Sequence, residues 1–121
     1  MKTISIIITL TIIASIGAVL YLISSERESN NFKSYELAVE SGLIDRGWIP
    51  SFIPKSSYNI KEQHKVDVPN IFVELHFEPQ DISYFEKECD LISVNEYKCA
   101  NSGYPVKVTI TNKSHAIIES I

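Results

Sequence analysis

The residues best suited to chemistry lie at alternate positions of one strand-like segment. Glu74, His76 and Glu78 share one side of an extended strand, about 7 Å apart along it. Carboxylates and imidazoles are metal ligands, so a metal-binding stripe is one interpretation. Neighbouring positions of one strand rarely converge on a single ion without a ligand from another strand. We therefore favour the polar outer face of a half-buried sheet, and we predict no metal and no cofactor.

No motif in the chain predicts an enzyme. No serine lies in a G-x-S-x-G or S-x-x-K pattern, and the four glycines are too scattered for a phosphate-binding loop. His64 lies in a charged stretch and His115 lies beside a turn, so both are predicted to be surface residues. Two carboxylates can still meet in the folded chain, but the sequence selects no pair. We predict a protein without catalytic activity.

Cys89 and Cys99 are the only cysteines, and they predict a disulfide bond. An even number of cysteines in an oxidising compartment favours pairing. The bond would close an 11-residue loop, which is worth roughly 2–3 kcal/mol by the chain-entropy argument. The spacing is too wide for a zinc knuckle and lacks the C-x-x-C of a redox pair.

Acidic residues outnumber basic ones, and they are concentrated in one stretch. The chain has 15 acidic and 11 basic residues; without Lys2 the remainder has a net charge of −5 (10 against 15). Such a charge argues against nucleic acid or anionic lipid as a partner. Residues 74–96 carry seven acidic side chains and only one basic one, Lys87. A solvated face is the commoner explanation, and a surface for a basic protein partner is the alternative. The candidate partner-binding carboxylates are Glu74, Glu78, Glu86, Glu88 and Asp90.

The first 25 residues predict a membrane anchor. Residues 3–25 contain no charged side chain, and residues 4–23 as a helix would rise about 30 Å, the thickness of a bilayer core. The small residues of a signal-peptide cleavage site are missing, so we favour an uncleaved single span over a cleaved signal peptide. We expect the N-terminus in the cytoplasm and the C-terminal domain outside the bacterial inner membrane, in the periplasm or extracytoplasmic space.

The remaining pattern predicts one small α+β domain. We divide the chain into an anchor (1–25), a linker (26–33) and a domain (34–121). The expected fold is an N-terminal transmembrane helix followed by an antiparallel sheet of four or five strands with two helices. Ser34 should cap the first helix, and a one-residue bulge should place Ile110 opposite Ala116. The predicted helices cover 34–47 and 82–91, and the predicted strands cover 58–66, 71–77, 97–100, 104–111 and 116–121.

A proline-containing segment, residues 47–56, joins the first helix to the sheet. Pro50 and Pro54 exclude a regular helix, and the residues between them are mostly apolar. We favour a lid that covers the core. The alternative is an aromatic docking surface in which Trp48 and Phe52 bind a partner.

Residues 46–60 resemble a recurring pattern, G-W-[IL]-P-x-x-[IL]-P-x-S-[AS]-x-x-I. It is found in small, uncharacterised bacterial envelope proteins and lipoproteins. The likeness covers about residues 35–92, with only a partial match at 64–70, and it implies a bacterial envelope domain without an assigned activity. The order of anchor, small domain and single disulfide is also similar to membrane-anchored periplasmic immunity proteins against bacteriocins or toxins, through architecture rather than motif.

Three functions follow as hypotheses. The first is a membrane-anchored protein-binding module, most concretely an immunity or inhibitor protein that uses the carboxylates above. The second is a structural or accessory envelope protein that docks through Trp48 and Phe52. The third, which we favour least, is a cell-wall hydrolase.

Overall fold

The computed structural model describes residues 2–24, 27–66 and 70–121. Within the first helix, the side chains described are those of residues 2–19. The predicted boundary between anchor and linker at residues 25 and 26, and the part of the envelope-protein pattern at Asp67, lie outside the described residues.

The domain is a single antiparallel sheet with small helices and a lid on one face. Its strand order is β1-β2-β3-β7-β6-β5-β4, and all six neighbouring pairs are antiparallel. The α+β class is therefore confirmed, but seven strands replace the predicted four or five. A short 3₁₀ helix, Pro79–Ile82, precedes α3. The helices and strands are α1 (Lys2–Ser24), β1 (Arg27–Ser34), α2 (Tyr35–Glu40), β2 (Tyr58–Lys65), β3 (Ile71–His76), α3 (Ser83–Glu88), β4 (Asp90–Ser93), β5 (Glu96–Asn101), β6 (Tyr104–Asn112) and β7 (His115–Ser120).

The N-terminal apolar helix is confirmed. α1 is long and apolar enough to cross a membrane, and it is compatible with either a signal anchor or a membrane span. The hydroxyls of Thr9, Thr11 and Ser15 each donate to the backbone carbonyl four residues earlier. Such bonds satisfy polar groups that a bilayer core cannot solvate.

The predicted linker at 26–33 is wrong, because strand β1 occupies most of it. Its sequence is polar and has no alternating apolar pattern. The segment is nevertheless extended because it pairs along its whole length with β2, from Arg27 opposite Lys65 to Ser34 opposite Tyr58. Residues 25 and 26 alone separate α1 from β1, so the chain permits at most about 11 Å between their ends.

The first predicted helix is shorter than expected. Ser34 caps α2 as predicted, since its hydroxyl accepts a hydrogen bond from the Leu37 N–H. α2 ends at Glu40 instead of near residue 47. Gly42 has φ +79°, a left-handed conformation that ends helices. The Arg46 guanidinium then donates to the Gly42 carbonyl, so the chain continues as turns.

The second predicted helix is also shorter. Residues 82–91 were expected to be helical, but α3 ends at Glu88 and β4 begins at Asp90. Between them Cys89 is extended, and it is bonded to Cys99 of β5. The disulfide therefore draws the end of the predicted helix into the sheet.

One sheet face forms the core and the other is open. On β3 the alternation is as predicted, with Ile71, Val73 and Leu75 buried and the intervening side chains half-buried on the open face. The predicted bulge is confirmed, because Ile110 lies opposite Ala116 and the register shifts just beyond it. α2, the turns after it, residues 47–56 and α3 supply the other core side chains, which include Ala38, Leu43, Ile49, Ile53 and Phe85.

Candidate functional site

Residues 47–56 lie over the core, and we call this segment the lid. Ile49 and Ile53 are buried, whereas Trp48 and Phe52 are half-buried against the core. The Asn101 side chain donates to the Gly47 carbonyl at 2.8 Å and links the lid to β5. The segment thus packs within its own domain. Binding of a partner by Trp48 or Phe52 stays a prediction.

His64 is buried, so its predicted surface position is wrong. It faces the core side of β2 and is 3% exposed. The Trp48 indole stacks on its ring, with centroids 4.0 Å apart and planes at 13°. The sequence did not reveal the burial of His64. Charged residues surround it in the sequence, and along β2 they lie alternately on the buried and the exposed face, so they hide which face is buried.

Carboxylates lie on both sides of the His64 ring. Nδ1 is 2.5 Å from Glu62 Oε1, and Nε2 is 3.3 Å from Glu28 Oε2. Asn30 donates to the other Glu62 oxygen at 2.9 Å. Because Glu62 is fully buried, these contacts form an internal hydrogen-bonded cluster that joins β1, β2 and the lid.

The open face carries a row of three rings across β2, β3 and β7. Tyr58 lies opposite His76, and His76 lies opposite His115. The Tyr58 and His76 rings stack at 5.4 Å, and the two imidazoles are 4.7 Å apart. A bulge at Asn59, with φ +47°, turns Tyr58 to this face. The row requires pairing between distant segments, so spacing along one strand does not reveal it.

The Glu74 carboxylate lies beside this row of rings and is paired with His115. His115 Nε2 lies 2.9 Å from Glu74 Oε1, and Thr111 hydrogen-bonds the other nitrogen of that ring. The hydrogen bond from His115 holds the pKa of Glu74 below its ordinary value, with help from the positive charges of His115, Lys61 and His76. Burial acts in the opposite direction and is the weaker effect.

The metal-binding stripe of Glu74, His76 and Glu78, one interpretation of the sequence, does not form. Glu78 lies beyond the end of β3 and is exposed, whereas His115 from β7 joins Glu74 and His76. Within residues 2–24, 27–66 and 70–121, no group of three His, Cys, Asp or Glu side chains is arranged to hold a metal ion.

The other predicted carboxylates lie away from this row. Glu86 and Glu88 are exposed on α3, and Asp90 begins β4. These three lie within five residues of one another in the sequence, and Asp90 lies on the edge strand opposite β1. Glu78 is also exposed, and its backbone N–H donates a hydrogen bond to the Ser56 hydroxyl.

Strand β4 was not predicted, and it is exposed along its whole length. Leu91 is 67% exposed, Ile92 54%, and Val94 in the following turn 86%. β4 pairs only with β5, and no other described strand lies on its outer side. The signal in the sequence was the Leu-Ile-Ser-Val run followed by Asn95, a residue that takes φ +62° at the turn. We call Glu86, Glu88, Asp90, Leu91, Ile92 and Val94 the β4 surface.

The disulfide fixes the direction of the β4 backbone groups. Cys89 and Cys99 form the bond with Cα atoms 4.6 Å apart, and they continue the register of Asp90 with Lys98. That separation is typical of a non-hydrogen-bonded antiparallel pair, and the Cys89 N–H donates to α3 instead. By alternation Asp90 bonds β5, and the N–H and C=O of Leu91 point outward to the free edge.

One protein-family model matches the chain. Residues 26–76 match the YbbD head domain, so the similarity covers 51 of 121 residues. The matched range contains β1, β2, β3, the lid and the cluster around His64, and it ends before the disulfide and the β4 surface. No curated protein sequence and no solved structure matches the chain. The resemblances to envelope proteins with the proline pattern and to immunity proteins stay predictions.

Proposed function

We propose that the chain is a membrane-anchored protein-binding module of the bacterial cell envelope, with its domain on the outer side of the inner membrane. The β4 surface carries this proposal. Leu91 and Ile92 of β4 and Val94 of the following turn are exposed, and the exposed carboxylates of Glu86, Glu88 and Asp90 directly precede them in the chain. No described strand pairs with the outer side of β4. Soluble domains protect such edges with charge, proline, a bulge, a short strand or a covering loop. β4 is only four residues long and has a register shift between Leu91 and Ser93, but its apolar side chains stay exposed.

Burial of the apolar part would supply binding energy. Full burial of a Leu, Ile or Val side chain stabilises by roughly 1.5–3 kcal/mol. Leu91, Ile92 and Val94 are more than half exposed, so most of that energy remains available to a partner. The nearby carboxylates would favour a partner with a basic surface and would speed its association with the domain.

β1, the strand that follows the proposed anchor, and β4 lie at opposite edges of the sheet. β1 follows α1 after two residues, and β4 is the last strand at the other edge. Six strand spacings separate them, which corresponds to about 29 Å. A partner can therefore contact β4 without displacing the strand nearest the anchor.

An immunity or inhibitor protein is the most concrete form of this function. A small disulfide-closed domain on a membrane helix would meet an incoming basic toxin or enzyme at the surface it must cross. Docking through the lid has less support, because Trp48 and Phe52 already pack on His64 and Phe85.

Photocrosslinking in cells tests the proposal with the full-length chain. A photoreactive amino acid at Ile92 should yield a discrete protein adduct, whereas one at exposed Lys113, in the β6–β7 turn, should not. The Ile92 adduct should weaken strongly when Glu86→Lys and Glu88→Lys are introduced together. Absence of an adduct at Ile92, or identical adducts at both positions, would contradict the proposal.

A further inference from the structure

We infer that β4 binds its partner by strand addition: a basic, extended segment pairs with β4 and becomes an eighth strand of the sheet. This inference rests on the proposed function and specifies its mode of recognition and the chemistry of the partner.

The backbone of β4 is oriented for such pairing. The N–H and C=O of Leu91 point away from β5, as the register and the hydrogen bond from Cys89 to Phe85 require. The disulfide holds this strand against β5, so little conformational entropy remains to be lost when a further strand pairs with it. Strand addition draws affinity from main-chain hydrogen bonds and specificity from alternate side chains.

The two edge strands of the sheet, β1 and β4, differ in the number of charged residues that they carry. β1 carries Arg27, Glu28 and Lys33, the charged residues that prevent edge pairing. Inside β4 the only charge is Asp90, and its two apolar residues are adjacent in sequence. The register of β4 with β5 shifts between Leu91 and Ser93, so regular alternation holds only as far as Leu91. Leu91 lies opposite Tyr97, and side chains of an added strand would contact Leu91 on that face of the sheet.

The charges around β4 select the occupant. Asp90 begins β4 with Lys98 of β5 opposite it, and Glu86 and Glu88 are exposed on α3 directly before β4 in the chain. A second copy of this chain paired through β4 would bring two such sets of carboxylates together, which like-charge repulsion opposes. An added partner strand with lysine or arginine at alternate positions would be attracted to the same carboxylates.

Amide hydrogen exchange on the full chain in lipid nanodiscs tests the inference. The probe is a ten-residue peptide of alternating lysine and valine, and its control has glutamate in place of lysine. The basic peptide should slow exchange in β4 and leave β1 unchanged, and the acidic peptide should do neither. Equal protection of both edges, no protection of β4, or protection that rises with protein concentration alone would overturn it. The last result would identify a second copy as the occupant.

A matched pair of variants separates backbone pairing from side-chain docking. Leu91→Pro and Leu91→Thr both remove the leucine side chain, but only proline removes the outward N–H. Leu91→Pro should bind the basic peptide at least tenfold more weakly than Leu91→Thr, with circular dichroism as a check on folding. The Glu86→Lys/Glu88→Lys variant should weaken binding about tenfold, the sum of a few partly exposed ion pairs.

The outcomes distinguish this inference from the function on which it rests. Equal losses in the two Leu91 variants, together with a persistent Ile92 adduct in cells, would overturn strand addition and leave protein binding in place. Absence of the adduct would overturn both. Should Leu91→Pro fail to fold, the exchange pattern of the unaltered chain decides alone.

Discussion

The indole of Trp48 lies flat on the imidazole of His64, with centroids 4.0 Å apart and 13° between the planes. Trp48 belongs to the lid, and His64 belongs to β2. At the edge of the imidazole, Glu62 Oε1 lies 2.5 Å from His64 Nδ1, and the Glu62 side chain is fully buried. The stack joins the lid to this buried cluster, so the lid and the first two strands depend on one another.

His64→Ala should destabilise the domain by about 3–5 kcal/mol, because it leaves the Glu62 carboxylate buried without its partner. Urea unfolding of the full chain near pH 7 measures the loss. The double variant His64→Ala/Glu62→Met should recover much of it, since no charge is then left buried. A loss below about 1 kcal/mol in the single variant would mean that water reaches Glu62.

Glu74→Gln should reduce stability near neutral pH and have less effect in acid. The folded pKa of Glu74 lies below its ordinary value of 4.5, so the hydrogen bond from His115 contributes its full stability above about pH 4.5. That contribution is lost as the pH falls through the folded pKa. The pair is partly exposed, so we expect at most about 1 kcal/mol. Thermal unfolding of both proteins between pH 3 and 7 should show converging curves at the acid end. A constant difference would contradict the pKa direction.

Reduction of the Cys89–Cys99 bond should lower stability by roughly 2–3 kcal/mol, the value expected for an 11-residue loop. Thermal unfolding with and without reductant measures it. A Cys89→Ser/Cys99→Ser variant should match the reduced protein and should not respond to reductant. The same variant should show faster amide exchange in β4. Unchanged exchange there would show that pairing with β5 alone holds the strand.

Gly47→Ala should destabilise the domain by about 1–2 kcal/mol, more than Gly103→Ala. Both glycines have positive φ, +82° and +86°, so the backbone strain is shared. Only at Gly47 would an added Cβ meet another group, the Ser102 hydroxyl at 2.9 Å. Gly17→Ala, in α1, has open space and should be neutral. Equal losses at positions 47 and 103 would show that Ser102 moves aside freely.

The sequence predicted only part of the candidate site. The sequence named the disulfide and the carboxylates of the β4 surface, but it placed Leu91 in a helix and gave no sign of a free strand. It named Glu74 and His76 without His115, the residue that actually binds the Glu74 carboxylate. The omission of His115 concerns a partner 41 residues away in the chain, whereas β4 was missed because helical spacing was continued through Leu91.

Local patterns in the sequence determined the elements whose signals are contained in one segment. An uncharged run is enough for α1, period-two alternation for β3, a serine before a helix for its cap, and two cysteines for a disulfide. Tertiary structure alone decided that the polar residues of β1 form a strand, because their extended backbone is stabilised by pairing with β2. It also decided that His64 is buried, since that burial depends on Glu28, Glu62 and Trp48 meeting around one ring. Periodicity is a property of neighbouring residues, whereas strand pairing and the compensation of a buried charge are properties of residues that only the fold brings together.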